Sequence, residues 1–252
     1  MDFSILLSWD GITYLIILSL LEIVLGIDNI IFISIVSDRL PVEKQGTARN
    51  VGLSLALIIR LILLSLVAWI MGMTEPLFTL FEIDFSGQSL VLLIGGLFLI
   101  YKSTTEMHNS VAGHEEDEKG GKVTLSGVIT QIVLIDLVFS FDSVISAIGM
   151  TNGMAQETGE NPMIIIYIAV IVSMIIMLLF AKQISQFINN RPTIKMIALG
   201  FLVTIGVILV AEAFGQHIPK GYIYFAMVYA LFVEFLNIRM RKNLKKRLQD
   251  DK

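Results

Sequence analysis

LLEIVLGIDNIIFI, from Leu20 to Ile33, decides how this chain is read, because LIDLVFSFDSVISA, from Leu134 to Ala147, repeats it. Superposed, the two stretches match Glu22 with Asp136, Gly26 with Ser140, Asp28 with Asp142 and Asn29 with Ser143, and nearly everything between is apolar. Both copies lie in runs apolar enough to span a bilayer, where an ionised carboxylate is costly unless paired, metal-bound or hydrated. Four carboxylates in matched places read as a duplicated acidic site.

The rest of the composition agrees with a membrane setting. Hydrophobic residues make up 55% of the chain and charged residues only 16%, which departs from soluble averages in both directions. The expectation is an all-α polytopic membrane protein. Its apolar runs reach the roughly 20 residues that a helix needs to cross about 30 Å of hydrocarbon. Seven are expected, at Gly11–Val36, Val51–Gly72, Gln88–Thr105, Leu125–Gly149, Ile164–Phe180, Ile194–Ala213 and Tyr222–Ile238. The start lacks the basic residues and small-residue cleavage site of a signal peptide, so the first run is expected to persist as a helix. Cysteine is absent, which excludes disulfides, thiolate metal sites and thiol catalysis. No bound cofactor and no nucleic-acid partner are expected. The partners implied are a metal ion, protons and membrane lipid.

Basic residues fall in alternate loops. Arg39, Lys44 and Arg49 follow the first run, Lys102, Lys119 and Lys122 the third, Lys182, Arg191 and Lys195 the fifth, and a cluster from Arg239 to Arg247 the seventh. The intervening segments, Met73–Gly87 and Thr151–Met163, carry acids and no Lys or Arg; Lys220 alone departs from the pattern. By the positive-inside rule the N-terminus is expected outside and the C-terminus in the cytoplasm. The charge run HEEDEKGGK, from His114 to Lys122, reads as a solvated linker. The organisation expected is a single transmembrane domain: repeat one over about 11–105, an acidic linker over about 106–124, repeat two over about 125–213 and an extra helix over about 222–238. With three helices per repeat, the second copy must insert upside down. Inverted repeats of this kind build transporters whose site lies at mid-membrane, often on broken helices.

At about 100° per residue, Glu22 and Asn29 share a helix face, as do Asp136 and Ser143, whereas Glu22 and Asp28 lie about 120° apart. Either Gly26 and Ser140 mark local unwinding that turns Asp28 and Asp142 inward, or the acids of each helix face different neighbours as two half-sites. The expected metal-binding residues are Glu22, Asp28, Asn29, Asp136, Asp142 and Ser143, with Ser140 as a further oxygen. Such a set suits a hard divalent ion such as Mg²⁺, Ca²⁺ or Mn²⁺. His108, His114 and His217 lie at membrane edges or in loops, which leaves Zn²⁺ and Cu²⁺ without obvious ligands. Arg60, midway along the second run, is the deepest basic residue and is read as a counter-charge or gate. Glu106, Glu212, Glu234 and Asn237 are read as interfacial or packing residues, and Gly95 and Gly96 as points of close helix approach.

These motifs, with GGLFLIYKSTTEMH from Gly95 to His108 and HIPKGYIYFAM from His217 to Met227, resemble the TerC family over nearly the whole chain. The chain looks like a short form without the soluble regulatory domains of longer relatives. The resemblance implies a bacterial inner-membrane protein of the LysE-like transporter superfamily, several of whose members export Mn²⁺. It also implies metal-binding roles for Glu22, Asp28, Asn29, Asp136 and Asp142, with Ser143 in the partner polar position. The leading expectation is therefore a non-enzymatic Mn²⁺ exporter, driven by inward proton movement. Two other classes stay open: a membrane scaffold whose acidic core is structural, and an intramembrane acid/base enzyme working through paired aspartates.

Overall fold

The computed structural model describes residues 8–66, 76–80, 83–112, 123–158, 163–216, 218–219 and 221–250. Seven helices, each long and apolar enough to cross a membrane, account for most of them. They are α1 (Trp9–Asp38), α2 (Val42–Ser65), α3 (Gly87–Ala112), α4 (Leu125–Thr158), α5 (Met163–Asn189), α6 (Pro192–Ala213) and α7 (Gly221–Asp250).

Most helices outrun the apolar cores read from the sequence; α2 ends at Ser65, short of the expected Gly72, and 67–72 lie outside the described residues. α2 begins at Val42 rather than Val51, α4 runs to Thr158 and α7 to Asp250. A hydropathy threshold finds only what sits in hydrocarbon, whereas a helix continues into water through good helix formers such as Glu43, Lys44 and Gln45. Two helix starts, each two residues before the expected one, have local causes. Ser8 caps α1 by accepting from the Gly11 amide at 3.0 Å. Pro192, preset for a first helical turn, opens α6. The charge run from His114 to Lys122, together with His217 and Lys220, lies outside the described residues. Glu106 and His108, at the predicted start of the linker, belong instead to the last turns of α3.

One element was not anticipated. β1 (Pro76–Leu80) and β2 (Ile83–Ser86) form an antiparallel hairpin in the acidic loop before α3. Phe78 stacks on Phe85 with ring centroids 5.4 Å apart, and Phe85 meets Phe214 edge-on at 5.5 Å, which pins the hairpin to the end of α6.

The strongest packing joins α3 to α6, α1 to α5, α2 to α4 and α1 to α4. Exchanging α1, α2 and α3 for α4, α5 and α6 carries the α1–α5 pair onto α4–α2 and returns α1–α4 and α3–α6 to themselves. α7 packs on the bundle mainly through α6 and leaves Tyr222, Phe225, Val228, Tyr229 and Phe232 exposed on its flanks. α1 is the opposite case: every residue from Asp28 to Ser37 is buried. A helix that is apolar almost all round is one that other helices surround.

Glycines set the closest contacts. A Cβ at Gly96 would lie 2.7 Å from the Gly206 carbonyl oxygen, and a Cβ at Gly206 would lie 2.9 Å from that of Gly96, so α3 and α6 meet backbone to backbone. Gly95 admits Val138 of α4 in the same way. Gly96→Ala is expected to lower stability by about 1–3 kcal/mol, because backbone atoms have no rotamer with which to retreat. Gly200→Ala, with nothing within 4 Å of its Cβ, is expected to be neutral or stabilising by up to about 1 kcal/mol. Thermal unfolding midpoints in detergent compare the two directly; equal midpoints would contradict the close contact.

Candidate functional site

The centre of the bundle is polar because three helices each aim a charged side chain into it. Glu22 on α1, Arg60 on α2 and Asp136 on α4 are each only 2% exposed. Arg60 holds the cluster together. Its Nη1 donates to Glu22 Oε2 at 2.7 Å, its Nη2 to Asp136 Oδ1 at 3.0 Å and its Nε to Ser140 Oγ at 2.9 Å. The planar guanidinium thus spends its fork on acids from the two matched copies and on the residue that matches Gly26.

Asp136 is the hub on the acceptor side. Besides Arg60 it accepts from Asn29 Nδ2 at 2.8 Å and from Ser140 Oγ at 3.0 Å. Asn29 reaches it because that residue shares the α1 face of Glu22, as the seven-residue spacing requires. Its amide oxygen Oδ1 is buried without a hydrogen-bond partner among the described residues. Two carboxylates against one guanidinium leave these ionic side chains with a single negative charge if all are ionised. Breaking such a buried group by removing one member is strongly destabilising, since the other charges lose their compensation.

Asp28 and Ser143 do not join this centre. Asp28 is buried on a different side of α1, where Tyr224 of α7 donates its phenol to Oδ2 at 3.4 Å. A cavity of about 30 Å³ lies there between Leu25, Phe139, Ile208 and Tyr224, enough for about one water. Ser143 donates to the Ser140 carbonyl of its own helix at 3.3 Å. Asp142 lies on α4, and its side chain is outside the described residues. Among the described residues, no three acidic or histidine side chains gather around an open centre.

The unwinding expected at Gly26 and Ser140 does not occur. α1 is a continuous helix from Trp9 to Asp38 and α4 from Leu125 to Thr158. Of the two arrangements open to the sequence, α1 adopts the one in which Glu22 and Asp28 face different neighbours. Gly26 serves packing instead: a Cβ there would fall 2.3 Å from Met177 Sδ of α5. Ser140 serves the centre directly, as an acceptor for Arg60 and a donor to Asp136. Tyr224 had no signal of its own beyond its place in the motif from His217 to Met227.

Around the α1–α2 turn the bundle is tied by a second polar set. Arg39 pairs with Glu106 of α3, Lys195 of α6 pairs with Asp38 at 3.3 Å, and Arg49 donates to Ser185 of α5 at 3.2 Å. Glu234 accepts from Thr193 at 2.5 Å and from Asn237 at 3.4 Å. Glu106 and Glu234 thus join helices, while Asn237 bonds within its own.

Comparison with known proteins places this arrangement. The model of the integral membrane protein TerC family matches residues 7–249. A UPF0053 protein of Haemophilus influenzae is 48% identical over 233 residues, 92% of this chain and 94% of that protein. The UPF0053 inner membrane protein YgdQ of Escherichia coli is 45% identical over 227 residues, 90% of this chain and 92% of its own length. YoaE, a UPF0053 inner membrane protein of the same species, is 45% identical over 237 residues, and the chain spans only 43% of its length. No solved structure matches the chain. With seven helices fit to cross a membrane and a family model matched almost from end to end, the chain belongs to the TerC family of integral membrane proteins.

Proposed function

We propose that this protein exports Mn²⁺ across the bacterial inner membrane by alternating access between two inverted repeats, α1–α3 and α4–α6, with its N-terminus outside and its C-terminus in the cytoplasm. The observation that carries the reading is the guanidinium of Arg60 held between Glu22 and Asp136, matched acids of the two copies. A site that clamps a tethered cation between its halves has the charge and the oxygen donors to clamp a free one. Arg60 is then a gate. A divalent ion arriving at Glu22, Asn29 and Asp136 displaces the guanidinium, which returns when the ion leaves, so the acids are never left bare in low dielectric.

Hard oxygen donors favour Mn²⁺, Mg²⁺ and Ca²⁺ as a class, and kinship with the TerC family favours Mn²⁺ within it. Asp28 and Asp142 belong to this reading as the second matched pair of acids, and Ser143 as their neutral neighbour. Outward movement of a divalent ion against an inside-negative potential costs about 4.6 kcal/mol per 100 mV, twice the unit-charge value. Inward proton movement offsets that cost, with Glu22 and Asp136 as the carriers.

Titration of the purified protein with Mn²⁺, Ca²⁺, Mg²⁺ and Zn²⁺ tests the first part: saturable Mn²⁺ binding is expected, with Zn²⁺ weakest. Everted vesicles test the second. Mn²⁺ accumulation that persists undiminished after the proton gradient is collapsed would rule out proton coupling.

A scaffold reading has one observation in its favour, since a fully buried arginine bridging three helices is also what a structural pin looks like. It predicts no saturable binding of any of the four ions.

A further inference from the structure

The acids do not stand alone on their helices. From Glu22, the positions Gly26, Asn29, Ile33 and Ser37 fall within about 80° of one another around α1. Their mates on α4, counted from Asp136, are Ser140, Ser143, Ala147 and Thr151. Each stripe begins at a carboxylate and ends, 15 residues on, at a hydroxyl, a travel of about 22 Å along the helix axis. All ten positions are buried. Three crossings separate α1 from α4, so the two helices run in opposite senses and their stripes leave the shared centre toward opposite faces of the membrane.

The chemistry of the hydroxyls is alike. Ser37 donates to the Ser34 carbonyl at 3.1 Å, Ser143 to that of Ser140 at 3.3 Å, and Thr151 to that of Ala147 at 2.9 Å. Each O–H is committed to its own helix, which leaves the oxygen lone pairs as acceptors. The buried Oδ1 of Asn29, which has no partner among the described residues, adds an acceptor to the α1 stripe one turn from Gly26.

We infer that these two stripes are the half-pathways of the transported cation: the one ending at Ser37 joins the Arg60 centre to one face of the membrane, and the one ending at Thr151 joins it to the other. Passage along either is by exchange among neutral oxygens, so the ion meets full negative charge only at the centre. The inference rests on the transport reading, but its test does not depend on which ion is carried.

The chain has no cysteine, so single cysteines report without background. Ile33→Cys, Ser37→Cys, Ala147→Cys and Thr151→Cys sit on the stripes. Ile31→Cys and Ile145→Cys, about 180° from Glu22 and Asp136, do not. A membrane-impermeant cationic methanethiosulfonate is applied to either face of sealed vesicles. The first two variants are expected to react from one face and the next two from the other, each at least tenfold faster than the off-stripe pair. Mn²⁺ is expected to slow them. Two positions per half keep the result decisive if one variant fails to fold. Stripe cysteines that react no faster than the off-stripe pair, or all from the same face, overturn the inference. Opposite-face labelling that Mn²⁺ leaves unchanged upholds the half-pathways and counts against Mn²⁺ as the cargo.

Discussion

Arg60→Met is expected to lower the unfolding free energy by about 3–5 kcal/mol, because it leaves Glu22 and Asp136 buried with no compensating charge. The side chain it removes is only 2% exposed and makes hydrogen bonds to three residues on two other helices. Methionine has similar bulk, so the loss reports charge more than volume. Thermal unfolding of the purified variant is the direct measurement. Two companion results give the prediction its shape. Adding Glu22→Gln and Asp136→Asn to Arg60→Met should restore most of the loss, since a neutral group of matched size is often no less stable than a buried ionic one. Millimolar Mn²⁺ should stabilise the single variant more than the wild type, because the guanidinium no longer competes for the acids. A variant as stable as the wild type, with no response to Mn²⁺, would show that Arg60 neither pins nor gates.

Asp136→Asn is expected to weaken Mn²⁺ binding by at least about 100-fold, beyond the 10–100-fold typical of losing an outer partner of a metal ligand. Asp136 accepts from Arg60, Asn29 and Ser140 at once. Its loss therefore removes a charge and also frees the two neutral side chains it orients. Calorimetric titration and Mn²⁺ uptake by everted vesicles should fall together. If the variant binds Mn²⁺ within about twofold of the wild type yet unfolds more easily, the carboxylate is a structural group and the scaffold reading gains.

The large features were legible because they rest on composition and period. Seven apolar runs stood out from their flanks, and the described residues of each form a helix. The duplication of Glu22 by Asp136 and of Gly26 by Ser140 was visible at a fixed offset, and the structure brings Glu22 and Asp136 within reach of one arginine. The angle between Glu22 and Asp28 was also readable, and it forced a choice between a broken helix and two facings. The structure takes the second, with Gly26 packed against Met177, a contact between residues far apart in the chain that no local pattern encodes. Tyr224 beside Asp28 was hidden for the same reason. The hairpin at Pro76–Ser86 was hidden differently: its two short strands sit in a loop judged only by its charge.

The contact between Gly96 and Gly206 has a mechanical meaning. Two helices touching main chain to main chain cannot slide past each other without collision, but they can turn about the point where they touch. The α3–α6 pair is its own counterpart when α1–α3 trade places with α4–α6, so in the proposed alternating access it would lie near the axis relating the halves. A rocking motion that exchanges those halves would pivot there, with the glycines as axle and α1, α2, α4 and α5 as the arms that swing.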